Sequence, residues 1–138
     1  MHASVKPPPE LKKRNFSTKQ LNSATFSLGQ KGESGAVKYL IAKNYHILDR
    51  NIGYKRYEAD IIAIDPDTEE MVFVEVKTRS SSYFGEPSTA INAKKLRALR
   101  RFAAGYLKEN KHHGEFRIDC ITVIPGTIQH YKNVTWLF

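Results

Sequence analysis

Three ionisable side chains in two neighbouring apolar segments could do chemistry together: Asp60 in Glu58-Ala59-Asp60-Ile61-Ile62, and Glu75 and Lys77 in Val72-Phe73-Val74-Glu75-Val76-Lys77. Side chains alternate between the faces of a β-strand, so Glu75 and Lys77 share one face while Val72, Val74 and Val76 line the other. Charges inside an apolar strand are costly to bury unless they are paired or put to use. Hydrolysis of a phosphodiester needs an attacking hydroxide at neutral pH and neutralisation of the charge that builds on phosphorus oxygens. A divalent metal serves both needs, and Mg²⁺ or Mn²⁺ takes oxygen donors. The expected ligands are Asp60, Glu75 and the main-chain carbonyl of Val76. The Lys77 ammonium would orient the nucleophile and stabilise developing negative charge. Glu33, on a preceding helix, could reach the same place to hold water or a second ion. A same-face salt bridge on an exposed sheet would also account for Glu75 and Lys77; the third charge, Asp60, favours a site. Glu58 shares a face with Asp60 and reads as a supporting or solvated group, or as the alternative ligand.

These residues must be carried by definite elements. Glu33, Ala36, Val37 and Leu40 recur at three- and four-residue spacing, which predicts a helix from about Leu28 to Lys43 with Glu33 on or beside its buried face. Asn44 suits a left-handed residue at its C-terminus. Strands are expected over His46–Ile52, Ala59–Ile64 and Met71–Thr78, the last two forming an antiparallel hairpin across the turn formers Asp65 to Glu70. After a loop over Ser80 to Pro87, Ser88 is placed to cap a second helix reaching about Lys108. Its buried face is Leu96, Leu99, Phe102, Ala103, Tyr106 and Leu107. Lys94, Arg97, Arg101 and Lys108 make a basic stripe, with Lys95 and Arg100 nearby. Phe116–Ile124 reads as a fourth strand, Pro125-Gly126 as a turn, and 128–138 as one more short strand or hairpin. Tyr83 and Phe84 could stack on a base or simply pack. His46, His112, His113 and His130 lack metal-ligand spacing.

The chain has 138 residues, enough for one domain with a real core. Residues 1 to about 25, with three consecutive prolines and Lys12-Lys13-Arg14, read as a flexible basic arm; 26–138 read as the folded domain. Lysine and arginine number 22 against 14 acids, and the arm holds +4 of the net +8. Polyanions are the natural partners, nucleic acid first. No apolar run approaches the roughly 20 residues that span a bilayer, and the start lacks the apolar centre of a secretory signal. The single cysteine, Cys120, lies in an apolar strand and reads as a buried inert thiol. A soluble cytoplasmic protein is expected.

Gly32-Glu33, Ala36, Leu40, Asn51, Glu58 to Ile62, Phe73-Val74-Glu75-Val76-Lys77-Thr78-Arg79, Phe84-Gly85-Glu86-Pro87 and Lys94 to Tyr106 resemble the YraN-like family, over about residues 29 to 138. That family is placed in the PD-(D/E)XK restriction-endonuclease-like superfamily, near archaeal Holliday junction resolvases. The resemblance implies an α/β fold, a mixed β-sheet flanked by helices. It implies Asp60, Glu75 and Lys77 as the signature triad, Glu33 as the helix-borne acid, and Lys94 near the phosphate. Arg79, Lys94, Lys95, Arg97 and Arg101 are the expected nucleic-acid contacts. The chain departs from the family pattern at Tyr57, where glycine is usual, and at Asn44, also usually glycine.

The resulting expectation is an Mg²⁺- or Mn²⁺-dependent DNA endonuclease, with branched DNA as the substrate that the resemblance suggests. Cutting a four-way junction would need paired active sites, hence a homodimer. The rival is a non-catalytic nucleic-acid-binding module on the same scaffold. A third reading is an interaction protein whose acids are paired structurally.

Overall fold

The computed structural model describes residues 17–18, 23–54, 57–79 and 90–138. Its elements are β1 (Ser17–Thr18), α1 (Ser23–Ala42), β2 (His46–Tyr54), β3 (Tyr57–Ile64), β4 (Met71–Thr78), α2 (Ala93–Glu109), β5 (Phe116–Ile124) and β6 (Thr127–Tyr131). The strands form one mixed sheet in the order β1-β2-β3-β4-β5-β6. All neighbours are antiparallel except β4 and β5. Parallel neighbours need a long crossover, and α2 lies in this one.

The alternation of β4 decides which helix covers which face. Val72 and Val74 pack with Ala36 and Leu40 of α1, together with Ile61, Ala63 and Ile121. Met71 and Phe73 pack with Leu96, Leu99, Phe102, Ala103 and Tyr106 of α2. Phe73 meets Phe102, Tyr106 and Phe116 edge-on, with ring centroids 5.7 to 6.2 Å apart, a geometry in which ring edges meet ring faces favourably. The predicted α/β architecture is thus observed.

Element ends differ from expectation in instructive ways. α1 begins at Ser23, not near Leu28, and Ser17–Thr18 pair with Ile52 and Gly53 of β2. The expected arm over 1–25 therefore includes regular structure, and the rest of it lies outside the described residues. Ser23 and Thr25 look like loop in sequence, yet such residues are at home at a helix start. Likewise α2 is capped by Asn92, whose Oδ1 accepts the Lys95 amide at 2.7 Å; Ser88 lies outside the described residues, as do Tyr83 and Phe84. Asn44 does take a left-handed φ of 68°. The Tyr45 amide bonds Leu40 O and the Asn44 amide bonds Ile41 O, both at 2.9 Å, the paired closure that satisfies orphan carbonyls at a helix end. Beyond Tyr131 the chain does not form the second strand of a hairpin; it turns back so that Val134 donates to Ile118 O and Thr135 Oγ1 accepts the Ile118 amide.

Candidate metal and nucleic-acid site

β3 and β4 stay paired from Ile64↔Met71 to Ile61↔Val74 and no further. One more step of that register would set Asp60 opposite Glu75. Instead the strands diverge there, while β4 keeps its partnership with β5 through Glu75↔Cys120 to Thr78↔Val123. The gap is bridged by a side chain: the Val76 amide donates to Asp60 Oδ2 at 2.8 Å. The N–H and C=O of a strand residue project to the same side, so the Val76 carbonyl points into this gap as well.

By alternation Glu75 and Lys77 lie on the α2 side of the sheet; in β3 the alternation breaks at Asp60, since Ala59 and Ile62 both pack on that side while Ile61 packs on the other. Lys95, in the first turn of α2, reaches down to the acids, with Nζ 3.4 Å from Glu58 Oε1 and 3.6 Å from Glu75 Oε1. Beside this cluster opens a depression of about 230 Å³ lined by Glu58, Asn92, Lys94, Lys95, Ala98 and Leu99. Burial, and then the charge of Asp60, hold the Glu75 carboxyl well above the usual carboxylate range. Burial also raises Asp60, against the pull of the Val76 amide and Lys95. Burial works against the charged form of Lys95, yet the carboxylates of Glu75, Glu58 and Asp60 outweigh it and raise Lys95.

Glu33 comes to this place from the other layer. α1 runs so close to the end of β4 that a Cβ at Gly32 would collide with the Thr78 hydroxyl. Glu33, 5% exposed, is pushed up to about 7 by burial and the charge of Asp60, opposed by Arg50 and a hydrogen bond with Asn51. Asn51 holds a left-handed φ of 49°.

Glu33 Oε1 and Glu75 Oε2 are buried polar atoms with no hydrogen-bond partner. Buried carboxylate oxygens left in this state favour a cation. Glu75, Asp60 and the Val76 carbonyl offer oxygen donors of the kind that a hard divalent ion takes. Among the described residues no group of three or more His, Cys, Asp or Glu is placed to hold a metal ion.

The expected residues thus divide. Asp60, Glu75 and Val76 share the gap, with Glu33 in electrostatic reach of Asp60. Lys77 extends the same face at the exposed end of β4. Arg79 follows β4, its amide on Val123 O. Lys94, Arg97 and Arg101 are exposed on α2, Arg101 donating to the Tyr57 hydroxyl at 3.1 Å. Lys95, expected among the nucleic-acid contacts, turns toward the acids instead. Arg100 is tied to Thr135 O at 2.8 Å and stacks over Trp136. Cys120 is fully buried, and burial pushes its thiol up to about 12, as expected of an inert cysteine.

Sequence reasoning missed a second polar cluster. Arg117 contacts both Asp119 oxygens at 2.9 and 3.1 Å, Asp65 Oδ2 at 2.6 Å, Glu70 at 3.2 Å and the Tyr45 hydroxyl at 2.8 Å. His130 Nε2 sits 2.7 Å from Asp119, and its Nδ1 sits 3.1 Å from the Tyr39 hydroxyl. The signal was available: Arg117 and Asp119 alternate inside Phe-Arg-Ile-Asp-Cys-Ile much as Glu75 and Lys77 alternate in β4.

A mixed sheet with helices on both faces and an acidic gap at the end of the β3–β4 hairpin defines an α/β protein. The chain belongs to the uncharacterised protein family UPF0102, whose model matches residues 32–123, a span that includes Glu33, Asp60, Glu75, Lys77 and Lys95. A UPF0102 protein of Alkaliphilus oremlandii is 52% identical over 84 residues, 61% of this chain and 70% of the relative. One from Chlorobium phaeobacteroides is 40% identical over 111 residues, covering 76% and 86%. One from Beutenbergia cavernae is 42% identical over 114 residues, covering 78% and 95%. Among the described residues no helix is long and apolar enough to cross a membrane.

Proposed function

We propose that the chain is a metal-dependent endonuclease that hydrolyses phosphodiester bonds in DNA. The observation that carries this reading is the pair Asp60 and Glu75, brought to one gap where β3 leaves β4, with a buried Glu75 oxygen lacking a partner. Asp60, Glu75 and the Val76 carbonyl would hold Mg²⁺ or Mn²⁺. The ion, when bound, supplies Lewis acidity that lowers the pKa of water and offsets phosphoryl charge. Lys77 orients the attacking water and donates to the scissile phosphate. Glu33, raised to about 7 by burial and Asp60, is suited to exchange a proton with that water near neutral pH. Exposed Lys94, Arg97 and Arg101 bind backbone phosphates without reading bases. Branched DNA is the first substrate to try, and a four-way junction would need two copies of the chain.

The non-catalytic reading draws on one observation, that among the described residues no group of three or more His, Cys, Asp or Glu is placed to hold a metal ion. Metal-dependent turnover separates the two. Purified protein is incubated with labelled four-way junction, flap, single-stranded and linear duplex DNA, in Mg²⁺, Mn²⁺ or EDTA, beside Asp60→Asn and Lys77→Ala. Cleavage is expected only with metal and is lost in both variants. Binding without cleavage under every metal would leave the non-catalytic module.

A further inference from the structure

We infer that Lys95 is a built-in stand-in for the divalent ion: its ammonium holds the acids of the metal-free site and gives way when the ion enters. This deepens the proposed function and rests on it. Three carboxylates, Glu58, Asp60 and Glu75, act electrostatically on one lysine. Lys95 sets one positive charge among these acids, where a divalent ion would set two.

The geometry suits a replaceable contact. At 3.4 and 3.6 Å from Glu58 and Glu75, Lys95 is at or beyond the limit of a direct hydrogen bond, which runs to about 3.2 Å. Its side chain is 38% exposed, so water can replace either carboxylate at little cost. The contact falls on Glu75 Oε1, and Glu75 Oε2 has no partner. Glu75 is thereby held in the gap with one oxygen free for an ion.

The lysine also stands where a cation is poorly placed. Residue 95 is the third of α2 after the Asn92 cap, and the N-terminal end of a helix carries partial positive charge. Lys94 lies beside it, and the first turn has no acid. Once the ion neutralises Glu75, the reason for Lys95 to point inward weakens. The depression lined by Asn92, Lys94 and Lys95 then offers it an anionic partner, a backbone phosphate.

The test is Mn²⁺ affinity without DNA, measured by calorimetry on the full chain as wild type, Lys95→Met, Lys95→Arg and Asp60→Asn, with helix content and melting checked for each. Lys95→Met is expected to bind Mn²⁺ about fivefold more tightly, the effect of removing one partly exposed ion pair that competes with the metal. Lys95→Arg, which keeps the charge, stays near wild type, and Lys95→Met loses DNA affinity. Unchanged or weaker Mn²⁺ binding in Lys95→Met, with wild-type binding present and lost in Asp60→Asn, would overturn the role of Lys95 alone. Absence of Mn²⁺ binding from wild type and every variant would overturn the metal site together with it.

Discussion

Replacing Glu33 by glutamine should make the metal-free protein more stable at mildly alkaline pH. Glu33 is nearly buried, one of its oxygens lacks a partner, and burial with the Asp60 charge raises its carboxyl from 4.5 to about 7. The folded state therefore holds this proton more tightly than the unfolded chain. The associated stability is complete below 4.5 and is lost as pH rises through about 7. At pH 8 the ionised side chain carries the full penalty, about 3 kcal/mol from the size of the shift. Glutamine removes the charge but leaves a buried amide needing partners, so a net gain of about 1–3 kcal/mol is expected. For a chain of this length that is a rise in Tm of about 3–9 °C. Thermal melts followed by circular dichroism in EDTA, at pH 8 and near pH 4, provide the assay. The gain should appear at the higher pH and vanish at the lower. Equal stabilisation at both, or none at pH 8, would refute the reasoning, since neither comes from a buried charge. Under the proposed function the same variant loses cleavage activity.

The other predictions concern the opposite ends of the burial scale. Arg117→Met strands Asp65 and Asp119, buried at 3% and 0% exposure, without their cation and should cost about 3–5 kcal/mol in urea unfolding; a loss below about 1 kcal/mol would contradict the network. In the wild type Asp65 is held down to about 2, its hydrogen bonds and Arg117 outweighing burial, and Asp119 is lowered too. Their stabilisation is present above 3.8 and fades as pH falls toward 2, which an acid titration of the circular dichroism signal would follow. Lys94→Ala and Arg97→Ala, both exposed, should each reduce the salt dependence of DNA binding by about one phosphate contact while shifting stability by less than about 0.5 kcal/mol. An unchanged salt slope would remove the basic stripe from the interface.

Much of this was legible because two signals were local. The apolar alternation of Met71–Thr78 and Phe116–Ile124 gave both strands with the observed ends, and the turn formers from Asp65 to Glu70 gave the hairpin. The convergence of Asp60 with Glu75 followed from that hairpin. What escaped depends on packing between distant segments. Lys94 belongs to the basic stripe and Lys95 lies beside it, and only the seating of α2 on the sheet turns one outward and the other onto Glu58 and Glu75. The Arg117 cluster draws on four separate stretches, Tyr45, Asp65 to Glu70, Asp119 and His130, and no spacing within one of them announces the others. The helix starts were missed because serine, threonine and asparagine serve equally as loop and as cap.

The hydrogen bond from the Val76 amide to Asp60 Oδ2 bears on which ion such a site could keep. It occupies one of the two oxygens of Asp60. That acid then offers a single contact in place of a chelating pair. Calcium, which gathers six to eight oxygens and often takes carboxylates in bidentate fashion, would be poorly served. Magnesium, reluctant to shed its hydration shell and content with one or two carboxylates, would keep several of its waters. Ion discrimination would thus follow from where two strands part, with the number of acids left unchanged.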